Sequence, residues 1–107
     1  MKVPNAARAF IDSGKLRDYA LNPTHRMGGH KARLFVLLLG MTINDAEALR
    51  EILFRVIQTE EATLGELDEY GQRYVIDFVL AWQNQQTNVR SAWIIRPDED
   101  FPRLVTC

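Results

Sequence analysis

The clearest pattern in the chain is an alternation of apolar and polar side chains in its second half. From Tyr74 to Trp82 every second residue is large and apolar, and Asp77 lies among the intervening positions. Such a period of two predicts β-strands. The strands predicted in this way are residues 74–82, 89–96 and 103–107, with residues 64–69 as a candidate fourth strand. A polar hairpin loop at 83–88 and a turn that starts at Pro97 separate them.

The first half shows a period near 3.6 instead, which predicts helices. The strongest helix has an apolar stripe made of Leu49, Ile52, Leu53, Val56 and Ile57. Asn44 is its expected N-cap, and Glu47 three residues later completes a capping box. Residues 32–39 are apolar almost without a break, a pattern that fits either a buried helix or a buried strand. Because Leu, Ala and Phe outnumber β-branched residues, a helix that ends at Gly40 is favoured.

The N-terminal segment gives weaker signals. Residues 9–11 could add a short edge strand, and Asp12 or Ser13 can cap a short helix that continues to Ala20. The Asn22-Pro23 pair ends that helix, because the residue before a proline is pushed out of the α region.

Helices first and strands afterwards predict an α+β domain. We expect one domain over residues 1–107, with two or three helices packed on a three- to four-stranded antiparallel meander. The expected core consists of Leu49, Ile52, Leu53, Val56, Ile76, Phe78, Leu80, Trp93 and Ile95. Because both faces of the long strand carry apolar groups, a homodimer that covers sheet surface is also expected.

Composition fits an ordinary globular chain of 107 residues, 47% apolar and 25% charged. The lone cysteine, Cys107, excludes an internal disulfide framework and a cysteine metal site. The start lacks the apolar core of a secretory signal. The longest apolar run, residues 34–39, is too short to cross a bilayer. We therefore expect a cytoplasmic protein without membrane contact.

The net charge of −1 conceals an asymmetry. Residues 1–33 contain seven Lys or Arg against two Asp, whereas residues 34–107 contain six Lys or Arg against twelve Asp or Glu. Such a split can create a positive face that meets phosphates or an acidic partner. The alternative is that the two halves neutralise each other in the fold.

The loop at residues 24–31 holds both histidines of the chain and its only adjacent glycines, Gly28-Gly29. Metal-free RNA cleavage needs a proton acceptor, a proton donor and cations for the developing charge. Candidate catalytic residues are His25, His30 and Lys31, and candidate phosphate-binding residues are Arg26, Arg33, Arg90 and Arg103. Alternatively, the histidines only cap helix ends or solvate the turn. The histidine spacing does not match a zinc helix, so no metal or cofactor is expected.

The aromatic residues of the sheet allow two interpretations. They could form a stacking platform for single-stranded nucleic acid, but their spacing beside Ile and Leu favours a core role. The residues concerned are Tyr70, Tyr74, Phe78, Trp82 and Trp93. Asp77 interrupts the apolar strand, and Arg90 on the next strand is its expected partner.

Three motifs resemble a bacterial family of unknown function. They are Lys15-Leu16-Arg17-Asp18-Tyr19, Asn22-Pro23-Thr24-His25 with His30-Lys31-Ala32, and Ala92-Trp93-Ile94-Ile95 with Pro102-Arg103-Leu104-Val105-Thr106. Arg26 stands where the family usually has proline, and the sequence stops at Cys107, before the family's usual Tyr-Pro ending. The resemblance implies a toxin-like module, sometimes encoded beside a small partner. Its order of elements is also similar to metal-free ribonuclease toxins with barnase-like and RelE-like folds.

Two classes of function remain open at the level of sequence. One is a toxin-like, metal-independent ribonuclease that acts on RNA through the His/Lys/Arg loop. The other is a non-catalytic interaction domain that binds a small, antitoxin-like protein, or a homodimeric structural module. Convergence of His25, His30 and Lys31 in one cleft with an arginine from the strands would favour the ribonuclease.

Overall fold

The computed structural model describes residues 1–27 and 29–107. Gly28, the first glycine of the predicted turn, lies outside the described residues. An antiparallel four-stranded sheet in the order β1-β2-β3-β4 follows a helical first half, so the predicted α+β class and meander are confirmed. The strands are β1 (Thr63–Asp68), β2 (Gly71–Trp82), β3 (Gln85–Ile95) and β4 (Arg103–Thr106).

Within the described residues, three helices precede the sheet. They are α1 (Ser13–Lys15), which continues as a π-helical segment Leu16–Ala20, α2 (Gly29–Leu39) and α3 (Ala46–Thr59). Short 3₁₀ turns lie at Ala6–Arg8 and Ile43–Asp45. The Asp12 side chain accepts a hydrogen bond from the Gly14 amide at 2.9 Å, as expected of the N-cap of α1. The edge strand predicted at residues 9–11 is a single parallel bridge between Phe10 and Arg103.

The capping box before α3 differs from the prediction. The Thr42 hydroxyl accepts from the Asn44 amide at 3.3 Å, and the Asp45 carboxylate accepts from the Thr42 amide at 2.9 Å. Asn44 as the cap, with Glu47 completing the box, was therefore wrong. The chain enters the helix through the 3₁₀ turn Ile43–Asp45, so the cap is Thr42, two residues before Asn44, and it serves the first amides of that turn.

The core lies between α3 and one face of the sheet. Leu49, Leu53 and Ile57 of α3 have no exposed surface, and neither do Ile76 of β2 and Trp93 of β3. Of the nine residues predicted as core, all are buried except two, which pack half-buried against it, namely Ile52 and Ile95. The two periodic patterns in the sequence therefore identified the core correctly.

The prediction that α2 is buried all round was wrong. Its buried residues are Gly29, Ala32, Phe35 and Leu39. Exposed apolar side chains on the same helix are Leu34 (40% exposed), Val36 (43%), Leu37 (78%) and Leu38 (44%). A helix turns by about 100° per residue, so a helix at the border of a layer buries only one stripe. A continuous apolar run does not show which stripe that is.

The β2–β3 hairpin extends beyond the strands on either side of it. The ladder runs from the Gln72–Ile95 pair to the Trp82–Gln85 pair, and only Gln83 and Asn84 form the turn, so the predicted loop at 83–88 is mostly strand. Gln83 adopts a positive φ of 55° in this turn. The neighbouring strand β4 pairs only with residues 92–94 of β3, and β1 reaches only Val75 of β2. Within the described residues, the far half of the hairpin therefore has no strand on either outer side.

Candidate functional site

The loop was predicted to extend to Lys31, but helix α2 already begins at Gly29. His30 and Lys31 therefore belong to its first turn, not to a loop. A Cβ added to Gly29 would lie 2.7 Å from the Pro23 carbonyl oxygen, so only glycine fits this approach. Arg33 Nη1 donates to the same carbonyl oxygen at 2.9 Å. Arg33, which was predicted to bind phosphate, thus stabilises the packing of the preceding turn against the helix.

His25 lies in that turn and is half-buried. Its ring contacts Tyr19 edge-on, with 4.6 Å between the ring centroids. Its Nδ1 atom accepts a hydrogen bond from the Met27 amide at 3.0 Å, and its carbonyl oxygen accepts from the Gly29 amide at 2.9 Å. These contacts assign His25 a part in shaping the turn. Arg26 beside it and His30 on the helix are both exposed.

A groove of about 200 Å³ lies between α2 and β3. The helix contributes four residues at the spacing i, i+3, i+4 and i+7, namely Lys31, Leu34, Phe35 and Leu38. The strand contributes Thr87, Asn88, Val89 and Arg90, and Cys107 closes one end. We call this the α2–β3 groove. Of the predicted site residues, it brings together Lys31 and Arg90; neither histidine is among the described residues that line it.

Arg90 is held in place by the partner that the sequence predicted for it. Its Nε donates to Asp77 Oδ1 at 2.8 Å, and its Nη2 donates to Asp77 Oδ2 at 3.0 Å. These hydrogen bonds hold the pKa of Asp77 below its usual range and raise the pKa of Arg90. The guanidinium is therefore fixed on one edge by the carboxylate, while its Nη1 group is left for other acceptors.

Cys107 is buried at the end of the groove. Burial raises the pKa of its thiol to about 11, and the charge of Lys31 opposes this effect. The thiol is therefore protonated near neutral pH and packs as a small apolar group.

Arg103 lines a different cleft, of about 570 Å³, where Tyr70 and Arg96 also form part of the wall and Lys31 does not. Its Nε and Nη2 atoms donate to the two oxygens of Glu99 at 2.7 and 2.6 Å. The guanidinium also stacks on Phe10 and Phe101, with 4.9 and 5.1 Å to the ring centroids. The proposed phosphate-binding arginines of the strands are thus divided between two clefts, and both are already paired with carboxylates.

The sheet aromatics are core residues for the most part. Trp93, Tyr74 and Phe78 are buried, so they cannot form a stacking platform. Tyr70 is 63% exposed on the turn between β1 and β2. Trp82 is half-buried near the hairpin turn, and its indole Nε1 finds no hydrogen-bond partner in the described part of the chain.

The apolar wall of the groove is not apparent from the sequence. Leu34 and Leu38 were predicted only as part of a buried helix, and Thr87 as part of a loop. The helical spacing of Lys31, Leu34 and Leu38 was present in the sequence, but the uninterrupted apolar run concealed it. No local pattern linked these residues to Arg90.

No helix in residues 1–27 and 29–107 is long and apolar enough to span a membrane. In the same ranges, no three or more His, Cys, Asp or Glu side chains are grouped so that they could hold a metal ion.

The sequence matches a family described as a domain of unknown function, DUF6883, over residues 2–107. The chain belongs to this family. No curated protein and no solved structure matches the chain.

Proposed function

We propose that this chain is a protein-interaction domain that binds an acidic partner through the exposed side of α2. The observation that carries the proposal is the exposure of Leu34, Leu37 and Leu38, which share one side of the helix. We call these three residues the α2 face. Adjacent exposed apolar side chains of this kind mark surfaces that contact other proteins.

The charges around the α2 face define the partner. Residues 19–44 contain no Asp or Glu, but they contain Arg26, Lys31 and Arg33 together with both histidines. Lys31 is exposed and lines the same groove as Leu34 and Leu38, and Arg26 is exposed in the turn before the helix. A partner that presents apolar side chains flanked by carboxylates is complementary to this surface in both respects.

The family resemblance implies that such chains are sometimes encoded beside a small partner, so the test takes the product of the neighbouring gene as the candidate partner. Both proteins are produced together, the chain is purified by a tag, and the affinity is measured by calorimetry. Leu37→Glu should weaken binding by at least about tenfold, because it removes an exposed apolar contact and repels carboxylates.

Leu67→Glu is the matched control, since Leu67 of β1 is exposed to nearly the same extent (76%) but lies away from α2. It should bind like the unmodified chain. Unchanged binding by the Leu37→Glu variant would remove the α2 face from consideration. If the chain instead forms a dimer in light scattering, and Leu37→Glu dissociates it, the partner is a second copy.

A second candidate function is a toxin-like, metal-independent ribonuclease. The observation that favours it is the pair of cations, Lys31 and Arg90, which approach from a helix and a strand to line one groove. His30 precedes Lys31 in the same helical turn. In this proposal one histidine removes the proton of the 2′-hydroxyl, whose oxygen bonds to the phosphorus as the bond to the 5′ oxygen breaks. The other histidine gives a proton to that leaving oxygen, while Lys31 and Arg90 stabilise the charge that develops on the phosphate.

The ribonuclease candidate predicts that purified chain cleaves RNA at low salt in the presence of a chelator. His30→Ala should lower the rate by about 10²–10⁴-fold, the range for lost proton transfer. The same loss should follow from His25→Ala if His25 acts as the second proton carrier. Lys2→Ala, at an exposed site near Glu61, is the control. Purified chain that leaves RNA intact under these conditions would exclude this function.

A further inference from the structure

The outer side of β3 has an open stretch that faces α2. Strand β4 pairs with residues 92–94 of β3, and its last residue, Thr106, lies opposite Ala92. Residues 85–91 of β3 pair with β2 on one side, whereas in the described part of the chain no strand lies on their other side. The main-chain N–H and C=O groups on that side can therefore accept an added strand.

The α2–β3 groove runs along this open stretch. The strand side of the groove is formed by residues 87–90, all within the open stretch, and the helix side by Leu34, Phe35 and Leu38. A groove with an unpaired strand edge on one side and an apolar helix on the other has the geometry that binds extended peptides by strand addition. Its side chains would alternate between the groove and solvent.

We propose that the α2–β3 groove binds an extended segment of a partner protein as an additional strand beside residues 85–91 of β3. The segment carries apolar side chains at alternate positions and at least one carboxylate. This inference rests on the proposed function as an interaction domain, and it specifies how the partner binds.

The chemistry of the segment follows from the lining of the groove. Side chains directed toward α2 meet Leu34 and Leu38, which are 40% and 44% exposed and become covered when the segment binds. A carboxylate on the segment meets the ammonium group of Lys31 and the Nη1 group of Arg90, since Asp77 occupies only Nε and Nη2. Val89 contributes apolar surface from the strand side.

The probe is a random library of peptides of about ten residues, a length that spans the open stretch at roughly 3.3 Å per residue. Peptides are selected on the purified chain, synthesised and measured by fluorescence anisotropy. The expected binders have apolar residues at alternate positions with an acidic residue, and they shift the amide NMR signals of residues 85–91. Failure to select any binder would overturn the inference.

Two further measurements separate strand addition from other modes. Methylation of single peptide nitrogens should weaken binding by at least about tenfold at every second position, because only alternate N–H groups join the ladder. Lys31→Glu should abolish binding of the acidic peptides and, in a new selection, favour basic ones. Lys2→Glu, far from the groove in sequence and absent from its lining, should keep the original preference.

The outcome also distinguishes this inference from the proposed function. If Leu37→Glu prevents binding of the adjacent small protein while methylated peptides show no alternation, the α2 face binds partners but the strand edge does not. If the amide signals of β3 remain unchanged with every selected peptide, strand addition is likewise excluded.

Discussion

At the scale of single residues, the buried hydroxyl of Ser91 links the two central strands. Its Oγ atom donates to the Ile76 carbonyl oxygen at 3.0 Å, and it accepts from Trp93 Nε1 at the same distance. Ser91 is a polar residue within the described core, and its side chain has no exposed surface. A buried indole N–H needs an acceptor, so one hydroxyl fixes the position of the largest core side chain.

Ser91→Ala should therefore destabilise the fold by about 1–3 kcal/mol, the cost of leaving a buried donor without a partner. Urea denaturation followed by tryptophan fluorescence measures the free energy of unfolding. In a Trp93→Phe background, where no indole N–H remains, the same substitution should cost less. Equal costs in both backgrounds would show that the Ser91–Trp93 hydrogen bond contributes nothing.

At the scale of elements, α3 and α2 illustrate two kinds of amphipathic surface. In α3 the apolar residues recur at helical spacing among charged ones, so the buried stripe is visible in the sequence. In α2 nearly every position from Ala32 to Leu39 is apolar, and the fold buries only one side of it. The surplus apolar side chains form the α2 face and the wall of the groove.

The buried stripe of α3 makes a specific prediction. Leu53→Ala should lower the free energy of unfolding by about 2–5 kcal/mol, because Leu53 has no exposed surface and its removal leaves a cavity. Chemical denaturation measures the change. Leu67→Ala, at a side chain that is 76% exposed, should alter it by no more than about 0.5 kcal/mol. Similar effects at the two sites would contradict the assignment of the core.

The sequence was informative where one local pattern determines an element. Alternation over residues 74–82 and the stripe from Leu49 to Ile57 located β2 and α3, because each period matches a single geometry. It was less informative where two local solutions compete: Thr42 and Asn44 are both good caps, and the 3₁₀ turn decided between them. The groove could not be predicted, because Lys31 and Arg90 meet only through tertiary packing.

At the scale of the whole molecule, the charges that were separated in the sequence meet in the fold. Arg8 pairs with Asp100, and Lys2 pairs with Glu61. Arg17 pairs with Glu47 in the same manner. These pairs join the basic N-terminal third to the acidic remainder, so much of the asymmetry is neutralised. The cations of residues 26–33 differ, since Lys31 and Arg26 have no salt bridge within the described residues.

The paired carboxylates predict how stability depends on pH. Hydrogen bonds from Arg90, Arg103 and Arg8 lower the pKa values of Asp77, Glu99 and Asp100 from ordinary values of 3.8, 4.5 and 3.8. A carboxyl group with a lowered pKa in the folded state stabilises the fold above its unfolded pKa, and this contribution is lost as pH falls through the folded pKa.

The melting temperature should therefore be nearly constant from pH 7 to about pH 5 and fall below that value. Scanning calorimetry across this range measures it. The exposed pairs are screened by salt, so the fall should be smaller in 1 M sodium chloride, where the Debye length is about 3 Å. Asp77→Asn should also reduce the fall in melting temperature at low pH. A melting temperature that rises on acidification would contradict the assignment.

The burial of Cys107 has a consequence for how motion at this end of the sheet can be observed. Only a thiolate attacks alkylating reagents, and this thiol is both covered and held protonated, with its pKa raised to about 11. Labelling therefore requires the surroundings of Cys107 to open transiently. The rate of alkylation reports the frequency of that opening, and a ligand seated in the groove beside Cys107 slows it. Cys107 alkylation is therefore a direct probe of local opening at this end of the sheet.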